Sequence, residues 1–212
     1  MAATTSSVKK HDLSAESRRR ALAAAEDAFA AQGFHGASLS AIARIAGLSN
    51  PGLIHHYPTK AALYLALLDL VGGELVERVT TALVEVAGPR ERLRALMAAL
   101  ATWTIQRPPA VRLILRELID NVERVDAAET LPLTHLVKIL TREFSAAQNK
   151  GLLPVGPPLA FLTQVLGTLA YALVVRPTFH RMQLDEPLLS EDESWIQKIT
   201  ETLFQTLIRD DS

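Results

Sequence analysis

The sequence predicts an all-α protein: a three-helix helix-turn-helix arm at the N-terminus and a helical-bundle body behind it, about nine helices in all. Three observations carry this. Apolar side chains recur at spacings of three and four along most of the 212 residues, with no alternating strand pattern between them. Glycine, proline and serine stand where these stripes begin and end. Near the N-terminus, two short helical segments flank Ala46-Gly47-Leu48-Ser49, a glycine turn followed by a residue suited to cap a helix.

Residues 1–12 are polar and predict a disordered tail. Ser14 can cap the first helix, with Glu16 in its first turn, where an acid suits the positive end of the helix dipole. Leu22, Ala25 and Phe29 form its stripe and Gly33 ends it. Ser38 caps a short second helix carrying Leu39, Ile42 and Ala43, which Gly47 stops. Ser49 caps a third, running to Tyr57 before Pro58, and Thr59 caps a fourth that begins at Lys60 and reaches about Ala87, where Gly88-Pro89 breaks it. The fifth runs from Pro89 to Gln106, closed by Pro108-Pro109, and the sixth covers Ala110–Asn121. Val122–Thr130 is polar and reads as a loop. The seventh carries Leu133, Leu136, Val137, Leu140 and Phe144 and stops at Gly151; Leu152–Gly156 is a turn. The eighth starts at Pro157 and ends near Val175, because Arg176–Leu189 holds Pro177 and Pro187 and reads as a long loop. Ser190 and Glu193 predict a capping box for a last helix bearing Ile196, Ile199, Leu203 and Leu207. The arm is residues 13–60 and the body residues 61–212.

Composition narrows the function. An apolar share of 49% supplies ample core for a soluble chain of this length. Net charge is −1, but it is unevenly spread: residues 1–60 carry +3 and the remainder −4. A basic arm on an acidic body suits nucleic-acid contact at one end. The absence of cysteine excludes disulfides, thiolate catalysis and cysteine-based zinc sites. The N-terminus has no apolar stretch of signal-peptide type, and the most apolar run, Leu169–Val175, is too short to span a bilayer. A cytoplasmic protein without membrane contact is the expectation. No nucleophile elbow, phosphate-binding loop, dinucleotide fingerprint or H-E-x-x-H is present, so no catalysis, metal or cofactor is expected.

The stretch from Ser38 to Lys60 carries the functional signal. In its second helix, Leu53 and Tyr57 lie four apart and face the small core. Pro51 and His55 share the opposite face, and Asn50 and Ile54 a flank; this short, mixed surface suits base edges and thymine methyl groups. His55 and His56 are adjacent, point about 100° apart on a helix, and have no acid at ligand spacing, which disfavours a metal site.

Residues 14–70 resemble the DNA-binding arm of the tetracycline-repressor (TetR-like) family. The elements that carry the resemblance are Ala25, Phe29 and Gly33-Phe34, then Ser38 to Arg44 with Ala46-Gly47-Leu48-Ser49, then Leu53 to Lys60 with Leu63. The resemblance implies that Ser38 and Thr59 cap helices and donate to phosphates, that Asn50, Pro51, Gly52 and Ile54 face base edges, and that His55, His56 and Lys60 sit at or near phosphates, with Ser49 also among the DNA-binding residues. Two positions depart from the family pattern: Asn50, often a longer basic residue, and Ile54, usually Tyr. Arg18–Arg20 and the Lys9-Lys10 tail can compensate with backbone contacts.

The body supplies the rest of the expectation. The eighth helix is apolar nearly all round, and Gly167 and Ala170 permit close approach of another helix. With Trp195, Ile196, Ile199, Leu203, Phe204 and Leu207 on the last helix, it predicts a homodimer through the last two helices, as the family resemblance also implies. Trp103, Leu113, Glu117, His135, Phe144, Phe161, Gln164 and Tyr171 are candidate lining residues for a small, largely apolar effector. The reading is a ligand-responsive repressor of a palindromic double-stranded operator, with the effector releasing the DNA. The alternatives are a helical small-molecule-binding protein or enzyme that has lost DNA binding, and a protein-docking module.

Overall fold

The computed structural model describes residues 3–120, 132–184 and 187–208. Nine α-helices lie among them: α1 Ala3–Gly36, α2 Leu39–Ile45, α3 Asn50–His56, α4 Lys60–Leu83, α5 Pro89–Gln106, α6 Pro108–Asp120, α7 Thr134–Asn149, α8 Pro158–Arg181 and α9 Asp192–Leu207, with a 3-10 turn at Pro187–Ser190. No strand occurs among the described residues. The predicted loop at Val122–Thr130 lies outside them. The chain forms two compact units, residues 1–71 with 112–128, and residues 72–111 with 129–212. The boundary therefore falls within α4 and α6, not at residue 60.

In the first unit, α1 begins at Ala3, so Ser14 lies inside the helix instead of capping it. Gly33 ends its regular part at φ 71°, a left-handed conformation that favours glycine. Ala21, Ala24, Ala25 and Ala28 are buried, small residues that let α1 lie close to its neighbours. Phe29 packs edge-on to Tyr64 of α4 at 4.8 Å, and Phe34 meets the same ring at 5.2 Å. Tyr64 Oη donates to Glu117 of α6 at 2.9 Å. Arg116 donates to the carbonyls of Ala30 and Ala31 near the end of α1.

In the second unit, α5, α7, α8 and α9 pack on one another. Leu96, Leu140, Phe144, Val165, Leu169, Ile196 and Phe204 are buried between them. Arg92 ties three elements. It makes a bidentate pair with Glu143 of α7, at 2.7 and 2.8 Å, and donates to the carbonyls of Leu83 and Val86 at the end of α4. Those bonds, with Glu85 in a left-handed conformation, stop α4 at Leu83, short of the expected Ala87. Pro108 and Pro109 open α6 instead of closing α5, because a proline in the first turn gives up no helical bond.

Two expectations for the C-terminal region are corrected. Helix α8 runs through Pro177 to Arg181, in place of a loop from Arg176. The proline removes a helical N–H, but neighbouring contacts hold the turn. Arg176 donates to Leu189 at 2.6 Å and pairs with Asp192, Trp195 Nε1 donates to the carbonyl of Ala172 at 3.0 Å, and Phe179 meets Trp195 edge-on. The capping box is absent: Glu191 occupies the N-cap without a side-chain bond, and Ser190 donates to Pro187 within the 3-10 turn. At 24 residues, α8 is also long and apolar enough to cross a membrane by length and composition, contrary to the sequence expectation. Its packing against α5, α7 and α9 covers one side of it, 33% of that apolar stretch being buried.

Arg92→Met leaves Glu143, whose side chain is 15% exposed, without its cation. The expected cost is about 2–4 kcal/mol of stability, read by urea unfolding, and Arg92→Met with Glu143→Leu recovers part of it.

Candidate nucleic-acid interface

The interface rests on α2, the turn and α3. Ala46 N donates to Ile42 O and Leu48 N to Ala43 O, closing α2 around Gly47, whose φ is 66°. That conformation strains any residue but glycine. Ser49 then caps α3 as expected, accepting from Gly52 N at 3.1 Å, and Thr59 caps α4, accepting from Ala62 N at 3.0 Å. Ser38 occupies the cap position of α2, but its hydroxyl pairs with that of Ser40 at 2.8 Å.

Helix α3 presents the face that the spacing predicts. Leu53 and Tyr57 are buried, so Asn50, Pro51, Ile54 and His55 point outward, with Gly52 and His56 half-exposed. Ile54 is 49% exposed, a large apolar side chain on a reading face. Burial raises the Tyr57 phenol above the usual tyrosine range, a shift that Arg18 partly opposes, so it stays a neutral core group. His56 is shifted the other way, below the usual histidine range, first by burial and then by His55 and Arg18.

Lys60 occupies a different position from the one its motif implies. Its ammonium donates to the carbonyls of His35 at 3.1 Å and Ala37 at 2.9 Å, and lies 5.0 Å from the Phe34 ring centroid. Two of its three donors hold the α1–α2 connection. Sequence reasoning missed this, because the partners are backbone carbonyls more than twenty residues away.

The candidate effector residues are divided between the two units. Leu113 and Glu117 belong to the first unit, where Leu113 is fully buried and Glu117 accepts from Tyr64. Phe144 and Phe161 stack at 6.2 Å within the core of the second. His135, Gln164 and Tyr171 are at the surface, Tyr171 62% exposed. Trp103 is buried, its indole N–H has no partner among the described residues, and it lines a cleft of about 730 Å³ between α4 and α5. Glu74, Arg78, Gln106 and Arg107 wall that cleft, joined as Arg78–Gln106 and Arg107–Glu74. These four were not legible as lining residues, since charges at helical spacing read as solvated faces.

Residues 21–67 match the family model described as bacterial regulatory proteins, tetR family. The match covers less than a quarter of the chain and shows what that segment is similar to. The chain is 37% identical over 99 residues to the HTH-type transcriptional activator FasR of Mycolicibacterium smegmatis, covering 47% of this chain and 45% of FasR. It is 45% identical over 51 residues to the HTH-type transcriptional regulator RutR of Escherichia coli, 24% of each chain. The chain thus spans less than half the length of these curated relatives. Among solved structures, SCO4942 from Streptomyces coelicolor superposes with a TM-score of 0.71 at 22% identity, covering 90% of this chain and 98% of that one. AibR in complex with isovaleryl coenzyme A and operator DNA superposes with a TM-score of 0.65 at 22% identity, covering 89% and 98%. At such identities the likeness is one of fold.

Lys60→Ala is expected to lower stability by about 1–2 kcal/mol, read as a lower Tm, because two carbonyls lose a charged donor. The slope of log affinity against log salt should then change by less than the ~0.9 of one lost phosphate contact.

Proposed function

We propose that this protein is a homodimeric, ligand-responsive transcriptional regulator that binds a palindromic operator through α3 and leaves it when a small molecule occupies the body, acting as a repressor. The single observation that carries the DNA-binding part is the outward face of α3. Asn50, Pro51, Ile54 and His55 project from a helix whose other side is anchored by Leu53 and Tyr57. Asn50 offers an amide that pairs with N7 and N6 of adenine, and Ile54 offers methyl contact to thymine. Gly52 lets the backbone approach between them.

Similar proteins support the reading: FasR is a transcriptional activator, RutR a transcriptional regulator, and AibR was crystallised with isovaleryl coenzyme A and operator DNA. Release by an effector is a linkage effect, requiring only that the ligand bind the DNA-incompetent arrangement more tightly. The largely apolar effector and the cytoplasmic setting belong to the same proposal. The sign of regulation is read by in vitro transcription from the operator, where a repressor lowers transcript and an activator such as FasR raises it.

Selection from a random duplex pool is expected to return a palindrome with A·T pairs under the tip of α3. Asn50→Ala should cost about 1–3 kcal/mol on the selected site and little on random DNA, since a base contact discriminates and a phosphate contact does not. No palindrome, with equal loss on every sequence, means that α3 does not read bases.

The dimer rests on α8 and α9. Gln164, Gly167, Tyr171 and Val174 form an exposed stripe along α8, and a Cβ at Gly167 meets nothing within 4 Å. Gly167→Glu should therefore leave the subunit folded, with unchanged circular dichroism, and yield a monomer by sedimentation at micromolar concentration. A wild-type monomer under the same conditions excludes the interface.

A further inference from the structure

The cleft between α4 and α5 changes character along its length. All its lining residues belong to the second unit. One end is charged: Glu74 pairs with Arg107, and Arg78 with Gln106. Toward the other end the lining is Ala82 of α4 and Ala95, Ala98 and Ala99 of α5. The Thr102 hydroxyl there donates back to the Ala98 carbonyl at 2.8 Å, so its polar atom is taken. Trp103 stands between the two ends. Two groups at the charged end lack the partner their chemistry calls for. Trp103 is 5% exposed, and its indole N–H, a donor only, has no acceptor among the described residues. Arg107 has the carboxylate of Glu74, but Arg78 donates to a neutral amide oxygen, that of Gln106, at 2.5 Å, and no carboxylate pairs with it among the described residues.

We propose that this cleft binds an amphipathic carboxylate, whose head takes Arg78 from Gln106 and accepts from the Trp103 indole, and whose apolar body lies along the alanines toward Ala95. The inference rests on the ligand-responsive reading above and gives its effector a place and a chemical class.

Gln106 follows Trp103 by three residues, and side chains on a helix lean toward its N-terminus. The Arg78–Gln106 bridge therefore crosses the cleft over the turn that carries the indole. An anion gains by breaking it. Gln106 offers Arg78 a neutral acceptor, whereas a carboxylate offers a charge-assisted, two-pronged pair of roughly twice the strength. Its two oxygens carry enough lone pairs to serve the guanidinium and the indole together. The buried N–H, costly while it lacks an acceptor, adds to the gain. A neutral head can serve the indole but not the charge, and a cationic head is repelled by Arg78. Glu77 on the rim is exposed, so water and salt screen its repulsion. From Trp103 back to Ala95, α5 rises about 12 Å, a run that accommodates a short alkyl chain against alanine methyls. Ala98 and Thr102 are exposed, so the cleft is open beside the packed core and a ligand can enter it.

The test uses the full chain carrying nitrogen-15 tryptophan and the probes octanoate and octanol, which share an apolar body and differ in the charge of the head. The indole N–H signals of Trp103 and Trp195 are told apart with Trp103→Phe. Octanoate raised to millimolar concentration is expected to move the Trp103 signal saturably and leave that of Trp195, which donates to Ala172, in place. Octanol should bind about tenfold more weakly, having no charge to set against Arg78. Arg78→Met keeps an apolar stem and removes the cation; it should weaken octanoate by about tenfold and octanol little, a difference that a loss of fold does not produce. Gln106→Ala removes the competing acceptor and should tighten octanoate. Equal binding of the two probes, an Arg78→Met variant that binds octanoate like the wild type, or a Gln106→Ala variant weakened as Arg78→Met is, overturns the proposal. No saturable shift at Trp103 also overturns it and leaves the ligand-responsive reading standing. Saturable octanoate binding at Trp103 with operator affinity unchanged upholds the cleft and overturns that reading instead.

Discussion

The first turn of α4 governs the arm. Lys60 and Tyr64 are four residues apart and so share one face of that helix. Lys60 grips the carbonyls of His35 and Ala37, fixing how the chain leaves α1 and enters α2. Tyr64 fills the space against Phe29 and Phe34 and carries its hydroxyl to Glu117 of α6. One turn of helix thereby sets the end of α1, the entry to α2 and the seat of α6. The placement of α3 follows, since α3 packs on α2 and α2 on α1. A reading face needs this rigidity, because a base contact made at about 3 Å tolerates little drift.

The second unit solves a different problem with the same means. Its core is apolar and almost free of polar atoms, so shape alone would leave helix ends and a proline turn unsatisfied. Single polar side chains meet those needs at the edges of the core. Arg92 holds the end of α4 while pairing with Glu143, and Trp195 takes the carbonyl of Ala172 near the proline. Arg176 joins α8 to the 3-10 turn and α9. Trp103 is the exception, a buried indole N–H without a partner among the described residues, beside a cleft. Such a group costs about 1–3 kcal/mol unless something accepts from it.

Charge on the arm is divided in a way its total of basic residues conceals. Some cations are held in structure, as Lys60 and Arg19 are. Ile54 and Asn50 put no cation on the outward face of α3.

By itself the sequence determined the fold class, most helix boundaries, the turn at Gly47, the caps at Ser49 and Thr59 and the inward pair Leu53 and Tyr57. Each is a local matter, set by periodicity, by glycine conformation or by a side chain reaching its own next turn. It also carried the resemblance to the tetR family, because the motif from Ser38 to Lys60 is contiguous. Tertiary structure alone decided the rest. Pro177 argues locally for a break, and only Arg176, Trp195 and Phe179 acting across elements carry the helix past it. Ser190 and Glu193 have capping spacing, yet the 3-10 turn takes the serine. Lys60 reads as a phosphate ligand until its carbonyl partners are seen, and Glu117 as a pocket acid until Tyr64 is found on it. These outcomes depend on groups far apart in the chain, whose meeting is fixed by packing and has no signature in the spacing of residues along it.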